Sequence, residues 1–380
     1  VNWEDSIVEA SATDTGMRRS NNQDSYAIVR APSREVWKSR GHLFMVADGM
    51  GAHAVGELAS KLACDNVPHT YLKTRNAESS DAITKAFQEV ARLIHSRATA
   101  NKDFTGMGTT CSALVLSPEG ALIAHVGDSR VYRIRGGDIG QYSFDHSLAW
   151  ELVRRNHLTP EQANKAVPRN VITRSLGSEP TVEVDIEGPL SVQPEDVFVI
   201  CSDGLSGPVA NEEIGAIAAN FHPSDAVRYL LHLANLRGGN DNITLIIVRV
   251  GEWIDPEAKN GTPNETHLTK PQRRGSLFTN LLAGLQKKSP SHVEDEPYTL
   301  TTAPVSDELV GRISDLVRDT QALAVEQAWP LDWPELARVR REAEDTRSDG
   351  RLRSSLRQLG EAVVLLGEGG RVYRKEHGIL

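Results

Sequence analysis

The sequence predicts an α+β protein built on antiparallel sheets with helices packed outside them, followed by a small all-α module. Three observations carry this. Between residue 7 and about residue 250, short β-branched runs are interleaved with amphipathic stretches. Strict strand–helix–strand repeats are few, which argues against a parallel sheet. From Val305 onward the apolar residues recur at helical spacing instead.

Nine runs read as strands: "IVEASAT", "DSYAIVR", "HLFMVA", "CSALVLS", "ALIAHV", "RVYRIR", "VEVDIE", "DVFVIC" and "ITLIIVRV". Two long helices are expected over Ala54–Leu72 and Asp81–Ala100. The second carries Ile83, Phe87, Val90, Leu93 and Ile94 on one stripe. Shorter helices are expected over Leu148–Asn156, Pro160–Lys165, Glu212–Ala219 and Ser224–Leu236. Residues 1–253 therefore form one α+β domain, long enough to bury a large core.

Residues 254–304 are polar and turn-rich and read as a linker. Within them "RRGSLFTNLLAGLQKK" is a short amphipathic segment with basic flanks, too short to anchor the chain in a membrane. Residues 305–380 read as a small helical module, either packing on itself or on the preceding domain, or serving as a separable regulatory or docking domain. Val305, Leu309, Ile313, Leu316 and Val317 form one stripe, Leu352, Leu356, Leu359 and Val363 another, and "DWPELARVRREAED" between them opens as a helix with proline in its first turn.

Composition narrows the function. A net charge of −9 over 380 residues excludes the basic footprint of a nucleic-acid binder. Cys64, Cys111 and Cys201 are far apart and lack metal-finger spacing, so they read as buried thiols in a reducing compartment. No apolar run approaches the roughly 20 residues that span a bilayer, and "VNWEDSIVEA" is too polar for a secretory signal. A cytoplasmic location, without membrane contact, is the expectation.

The chemistry gathers around acids. Asp48 follows "LFMVA", Asp203 follows "VFVICS", Asp128 sits in "HVGDSRVY", and Asp241 immediately precedes the strand "ITLIIVRV". Each alone can be a turn residue. Antiparallel strands, however, place the end of one beside the start of the next, so Asp48, Asp203 and Asp241 can meet at one rim. Unpaired, such carboxylates repel; around hard divalent ions they become an oxygen cage suited to Mg²⁺ or Mn²⁺. Two ions sharing a carboxylate can ionise a water for attack on phosphorus, and Gly49 would let its own carbonyl approach. Arg18 and Arg19 in "TGMRRSNNQDS" supply guanidinium forks for a phosphate, or else only solvate a loop.

Taken together, "TGMRRSNNQDS", "VADGMGAHAVGELAS", "GTTCSALV", "AHVGDSRVYRIR", "DHSLAWELV", "RNVITRSLG", "VFVICSDGLS" and "GGNDNITLIIV" resemble the bacterial form of the metal-dependent Ser/Thr protein phosphatase family, type 2C. The resemblance covers about Ile7 to Val250. It implies a central β-sandwich flanked by helices, the αββα arrangement, with the metals at one end. It implies that Asp48, Asp203 and Asp241 ligate one metal and that Asp48 bridges to a second, joined by the carbonyl of Gly49. Asp24 would hold a metal-bound water and Arg19 would grip the phosphate. A third ion would lie beside Asp128 with help from Asp203, and Leu148–Pro168 would form a mobile flap. The implied cofactors are Mn²⁺ or Mg²⁺. The implied reaction is hydrolysis of phosphoserine and phosphothreonine on proteins without a covalent phosphoenzyme, and the implied partners are phosphoproteins, among them a Ser/Thr kinase.

Departures from the family pattern are local. Gln23 replaces a frequent Glu, which keeps an acceptor oxygen without the charge. Ala52 stands where Gly is usual, and Met50 where some relatives have a histidine proposed as the acid for the leaving group; His53 is the nearby candidate. Gln23 also supports the competing reading, a catalytically silent member that binds phosphoproteins as a scaffold.

Overall fold

The computed structural model of the chain describes residues 7–51, 55–74, 77–155, 162, 171–255 and 296–379. Two antiparallel sheets face each other. The first runs β1 (Ile7–Asp14), β11 (Ile243–Val250), β10 (Val197–Cys201), β7 (Arg130–Arg135), β8 (Asp138–Gln141) and β12 (Thr299–Thr302). The second runs β2 (Asp24–Val29), β3 (His42–Met50), β5 (Cys111–Ser117), β6 (Gly120–Val126) and β9 (Asp185–Leu190), with the two-residue β4 (Gly108–Thr109) beside β3.

Period-two alternation explains why the central strands read as unbroken apolar runs. In β3, Phe44 and Val46 point into the layer between the sheets, while Leu43, Met45 and Ala47 face the helices outside. In β11, Ile246, Val248 and Val250 face inward, and Ile243, Leu245 and Ile247 face the opposite helix layer. Strands covered on both faces have no polar side to show. Each such large side chain contributes on the order of 2 kcal/mol by leaving water.

The helices complete the layers. On the second sheet lie α2 (Val55–Lys73) and α3 (Ser79–Ala100), and Ile83, Phe87, Val90 and Ile94 of the expected stripe are buried there. On the first sheet lie α6 (Asn211–Asn220) and α7 (Pro223–Leu236). Among the described residues, α1 (Arg34–Arg40), α4 (Leu148–Arg154) and the single-turn α5 (Asp203–Ser206) also belong to this part of the chain. The αββα sandwich is therefore observed. The three cysteines are free and buried, and no described helix is long and apolar enough to cross a membrane.

The C-terminal range holds three helices, α8 (Asp307–Glu326), α9 (Trp333–Ser348) and α10 (Leu352–Glu376). Ser306 caps α8 by accepting from Leu309 N at 3.2 Å, and Asp332 caps α9 by accepting from Glu335 N at 3.0 Å. These helices are built onto the sandwich, not beside it. Leu309, Ile313, Leu356, Leu359 and Val363 join one continuous core with Ile217, Tyr229 and Leu233 of α6 and α7.

Two expectations are corrected, and two elements are added. Residues 299–302, expected within the linker, form β12, whose Thr301 lies opposite Ile139 and whose Thr299 lies opposite Gln141. The strand expected over 182–187 lies at Asp185–Leu190, because pairing with β6 sets its position. The short helix α1, capped by Ser33, and the strand β8 are additional. The helix expected over 160–165 and the amphipathic segment over 273–288 lie outside the described residues, apart from Gln162.

Candidate metal centre

The two sheets end together at one rim, and the acids gather there. The register of β2 on β3 sets Asp24 directly opposite Asp48. From the other sheet, β10 runs out into Ser202 and Asp203, the start of α5, while Asp241 stands just ahead of β11. Ser202 ties the sheets together. Its Oγ donates to Asp24 Oδ2 at 2.7 Å and accepts from Thr244 N at 3.0 Å. Asn242 makes a second tie, accepting from Gln23 N at 2.8 Å and donating to the carbonyls of Thr15 and Asn21, each at 2.9 Å.

The glycine after each strand-end acid has a steric cause. A Cβ on Gly204 would sit 1.9 Å from the Asn242 carbonyl oxygen, and one on Gly49 would sit 2.0 Å from that of Gly56. Only a bare backbone lets the segments bearing Asp203 and Asp241, or Asp48 and α2, come so close. Gly49 was expected for the reach of its carbonyl alone; the crowding against α2 is a second, independent requirement. Asp48 is further held by its N–H donating to Thr110 Oγ1 at 2.9 Å, with Ser129 Oγ behind it at 2.8 Å.

Electrostatics show a strained cluster of like charges. Burial first, and then the Asp203 and Asp241 carboxylates, push Asp24 up to about 7. Burial followed by Asp24, Asp203, Asp128 and Asp241 holds Asp48 well above the usual carboxylate range. Asp128, in the turn between β6 and β7, is pushed up to about 8 by burial, then by Asp203 and Asp145. Asp203 is raised by burial and Asp241, and its carboxyl is in hydrogen-bond contact with that of Asp48.

Does this set fit a metal? The donors are all hard oxygens, the chemistry of Mg²⁺ and Mn²⁺ and not of zinc. Buried Oδ1 atoms of Asp24, Asp128 and Asp203 have no hydrogen-bond donor. Buried acceptors without donors are costly, and a cation satisfies them. Among the described residues no three carboxylates already surround one point at ligating distance. The all-oxygen donor chemistry and the unsatisfied buried Oδ1 atoms carry the fit. The residues fit divalent cations.

Arg19 is on the same rim. Its guanidinium donates to Asp241 Oδ2 at 2.8 Å, and both side chains remain partly open to solvent. Arg18 is exposed. Asp24, Asp48, Asp128, Asp203, Asp241 and Arg19 are thus brought together, and Gly49 with them. His53 lies outside the described residues, as does most of the expected flap beyond α4. A cleft of ≈ 310 Å³ opens between α4 and α5, with Asp128, Asp145, Trp150, Asp203 and Asn211 in its wall. Sequence reasoning missed Ser202, Asn242 and Thr110, which orient the acids without being acids. The Ser in "CSDG" and the second Asn in "NDN" were the available signals.

The model of the protein phosphatase 2C family matches residues 17–236. A putative type 2C protein phosphatase from Streptococcus pyogenes is 38% identical over 240 residues, covering 62% of this chain and 94% of that protein. The solved Ser/Thr phosphatase of S. agalactiae is 33% identical with a TM-score of 0.58, over 64% of this chain and 99% of its own. The PstP catalytic domain, solved in complex with two manganese ions, is 29% identical with a TM-score of 0.55, over 65% of this chain and 99% of its own. The family match stops at residue 236, ahead of α8–α10. With its acids, its two tied sheets and its bracketing glycines in this arrangement, the chain belongs to the protein phosphatase 2C family of metal-dependent enzymes.

Proposed function

We propose that this chain hydrolyses phosphoserine and phosphothreonine esters on proteins, with Mn²⁺ or Mg²⁺ held by Asp48, Asp203 and Asp241 and by the Gly49 carbonyl. The observation that carries the reading is the convergence of mutually repelling aspartates, Asp24 and Asp128 buried and Asp48, Asp203 and Asp241 half-buried, from two sheets on one rim beside Arg19. The PstP domain crystallised with two manganese ions supports a two-ion site here. Asp128 and Asp203, each with an unsatisfied buried Oδ1, are the pair suited to a third.

When bound, the ions would supply positive charge to ionise a water and to offset the negative charge on the phosphoryl oxygens. The protein's own groups do the rest. Arg19, whose fork now lies on Asp241, is free on its exposed side to take two phosphate oxygens at once. Ser202 locks Asp24 Oδ2, which leaves Oδ1, buried and without a donor, as the oxygen able to accept a proton from water. No thiol takes part, since burial pushes Cys201 up to about 12 and raises Cys111 as well.

Phosphoproteins are the substrates this reading requires, and a Ser/Thr kinase is one proposed partner. A phosphothreonine peptide tests it. Phosphate release should need added Mn²⁺ or Mg²⁺ and vanish in Asp203→Asn. Release that continues in excess chelator rejects the mechanism.

A further inference from the structure

The C-terminal helix α10 carries Gly360, Gly367, Arg371 and Arg374 at intervals of seven, four and three residues, which is one helical face. That face meets the phosphatase. The glycines let it seat. A Cβ on Gly360 would sit 2.7 Å from the Tyr229 ring, and one on Gly367 would sit 2.4 Å from His232 Nδ1. Tyr229 Oη donates to Glu361 Oε1 at 2.6 Å and fixes the register. The helix therefore cannot slide or rise without losing this fit.

One turn further along, the same face reaches the loop that bears Arg19. Arg371 forms an ion pair with Asp14, a buried residue whose Oδ1 accepts from Gly16 N at 2.7 Å and from Asn235 Nδ2 at 3.3 Å. Arg374 Nη1 donates to the Met17 carbonyl at 3.1 Å. Met17 N in turn donates to the Gly239 carbonyl at 2.7 Å, which lays this loop on the one that carries Asp241. Two cations from the helical module thus grip both ends of the short segment 14–17, and Arg18 and Arg19 follow directly. Arg374 is held beside Arg18 despite the repulsion between them.

We propose that Arg371 and Arg374 are positioning residues of the phosphatase: α10 holds the loop Asp14–Arg19 so that the Arg19 guanidinium faces the phosphate. The proposal depends on the reading of Arg19 as the phosphate clamp. It gives the C-terminal module a role inside the catalytic unit, and makes the seating of α10 a determinant of substrate affinity.

The test uses the full chain, saturating Mn²⁺ and a phosphothreonine peptide. Arg371→Gln/Arg374→Gln should lower kcat/KM by about tenfold, mostly through KM, as loss of phosphate grip does. The pair Arg371→Lys/Arg374→Lys should restore most of it. In an Arg19→Ala background the same two Gln changes should cost nothing further, because the group they position is gone. Should the double variant fail to fold, the single Arg374→Gln, at the partly exposed end of the contact, gives the same readouts. The proposal is overturned if Arg19→Ala is impaired while the Gln variants match the parent. It is equally overturned if the Gln and Arg19→Ala losses multiply as independent effects, which is what mere destabilisation produces. An Arg19→Ala enzyme with unchanged KM instead removes the clamp reading itself.

Discussion

Chelated protein should become more stable as pH falls from 8.5 to 6.5. The perturbation is removal of divalent cations, which leaves the acids at the rim to repel one another. Asp24 is pushed up to about 7 and Asp128 to about 8, each from an ordinary value of 3.8, and Asp48 and Asp203 are raised too. The sign follows from proton binding. Between 3.8 and the raised values the folded state binds more protons than the unfolded one, so stability falls as pH rises through that window. Below 6.5 the trend is opposed by buried neutral histidines, His125 held down at about 3 and His232 at about 4, which charge only on unfolding. The clean window is therefore 8.5 to 6.5. Titrating the two valued carboxyls across it contributes roughly 2–3 kcal/mol. For a protein of this size that corresponds to a rise in Tm of roughly 3 °C. Thermal unfolding in EDTA across that range reads it directly, and in excess Mg²⁺ the rise should disappear because bound cations keep the carboxylates ionised. A chelated Tm that falls on acidification, as it does for proteins with paired acids, refutes the reasoning.

Other perturbations act on the supports of the site. Gly204→Ala forces a methyl to within 1.9 Å of the Asn242 carbonyl, so backbone must shift; we expect a loss of roughly 1–3 kcal/mol in denaturant titrations and at least tenfold in kcat/KM. Normal activity in that variant would show that the spacing of Asp203 and Asp241 is unimportant. Truncation after residue 304 strips α8–α10 from Ile217, Tyr229 and Leu233, each large apolar group being worth about 1.5–3 kcal/mol when buried. The truncated chain should bind a hydrophobic dye and melt lower than the full chain. Equal melting temperatures would mean that the shared core contributes nothing.

Much of the fold was legible because β3, β10 and β11 are covered on both faces and so print continuous apolar runs. The long helices were legible through periodicity; the caps Ser33, Ser147 and Ser306 are local signals that the sequence reading did not use, and α1 behind Ser33 was missed with them. What escaped was set by distant pairing. β12 is a half-exposed "TLTT" on a sheet edge, and its partner β8 is far away in sequence, so nothing local marks it. The position of β9 follows from its pairing of Ile186 with Ala124, a register that β-propensity cannot choose. At the site, the acids were visible as residues that interrupt apolar runs. Their alignment, Asp24 across from Asp48 and Ser202 bridging between sheets, emerges only from registers. The C-terminal helices were readable as helices, but not where they land. Gly360 and Gly367 were the signal, since glycine seven residues apart inside a helix is costly unless another element needs the space.

The most direct test is an anomalous-scattering map from crystals soaked in Mn²⁺. The account predicts a pair of adjacent ions at the sheet rim, with Asp48 between them and Asp203 and Asp241 on one of the two. Ions bound only elsewhere, or a rim that stays empty at saturating Mn²⁺ while the protein turns over substrate, would contradict it.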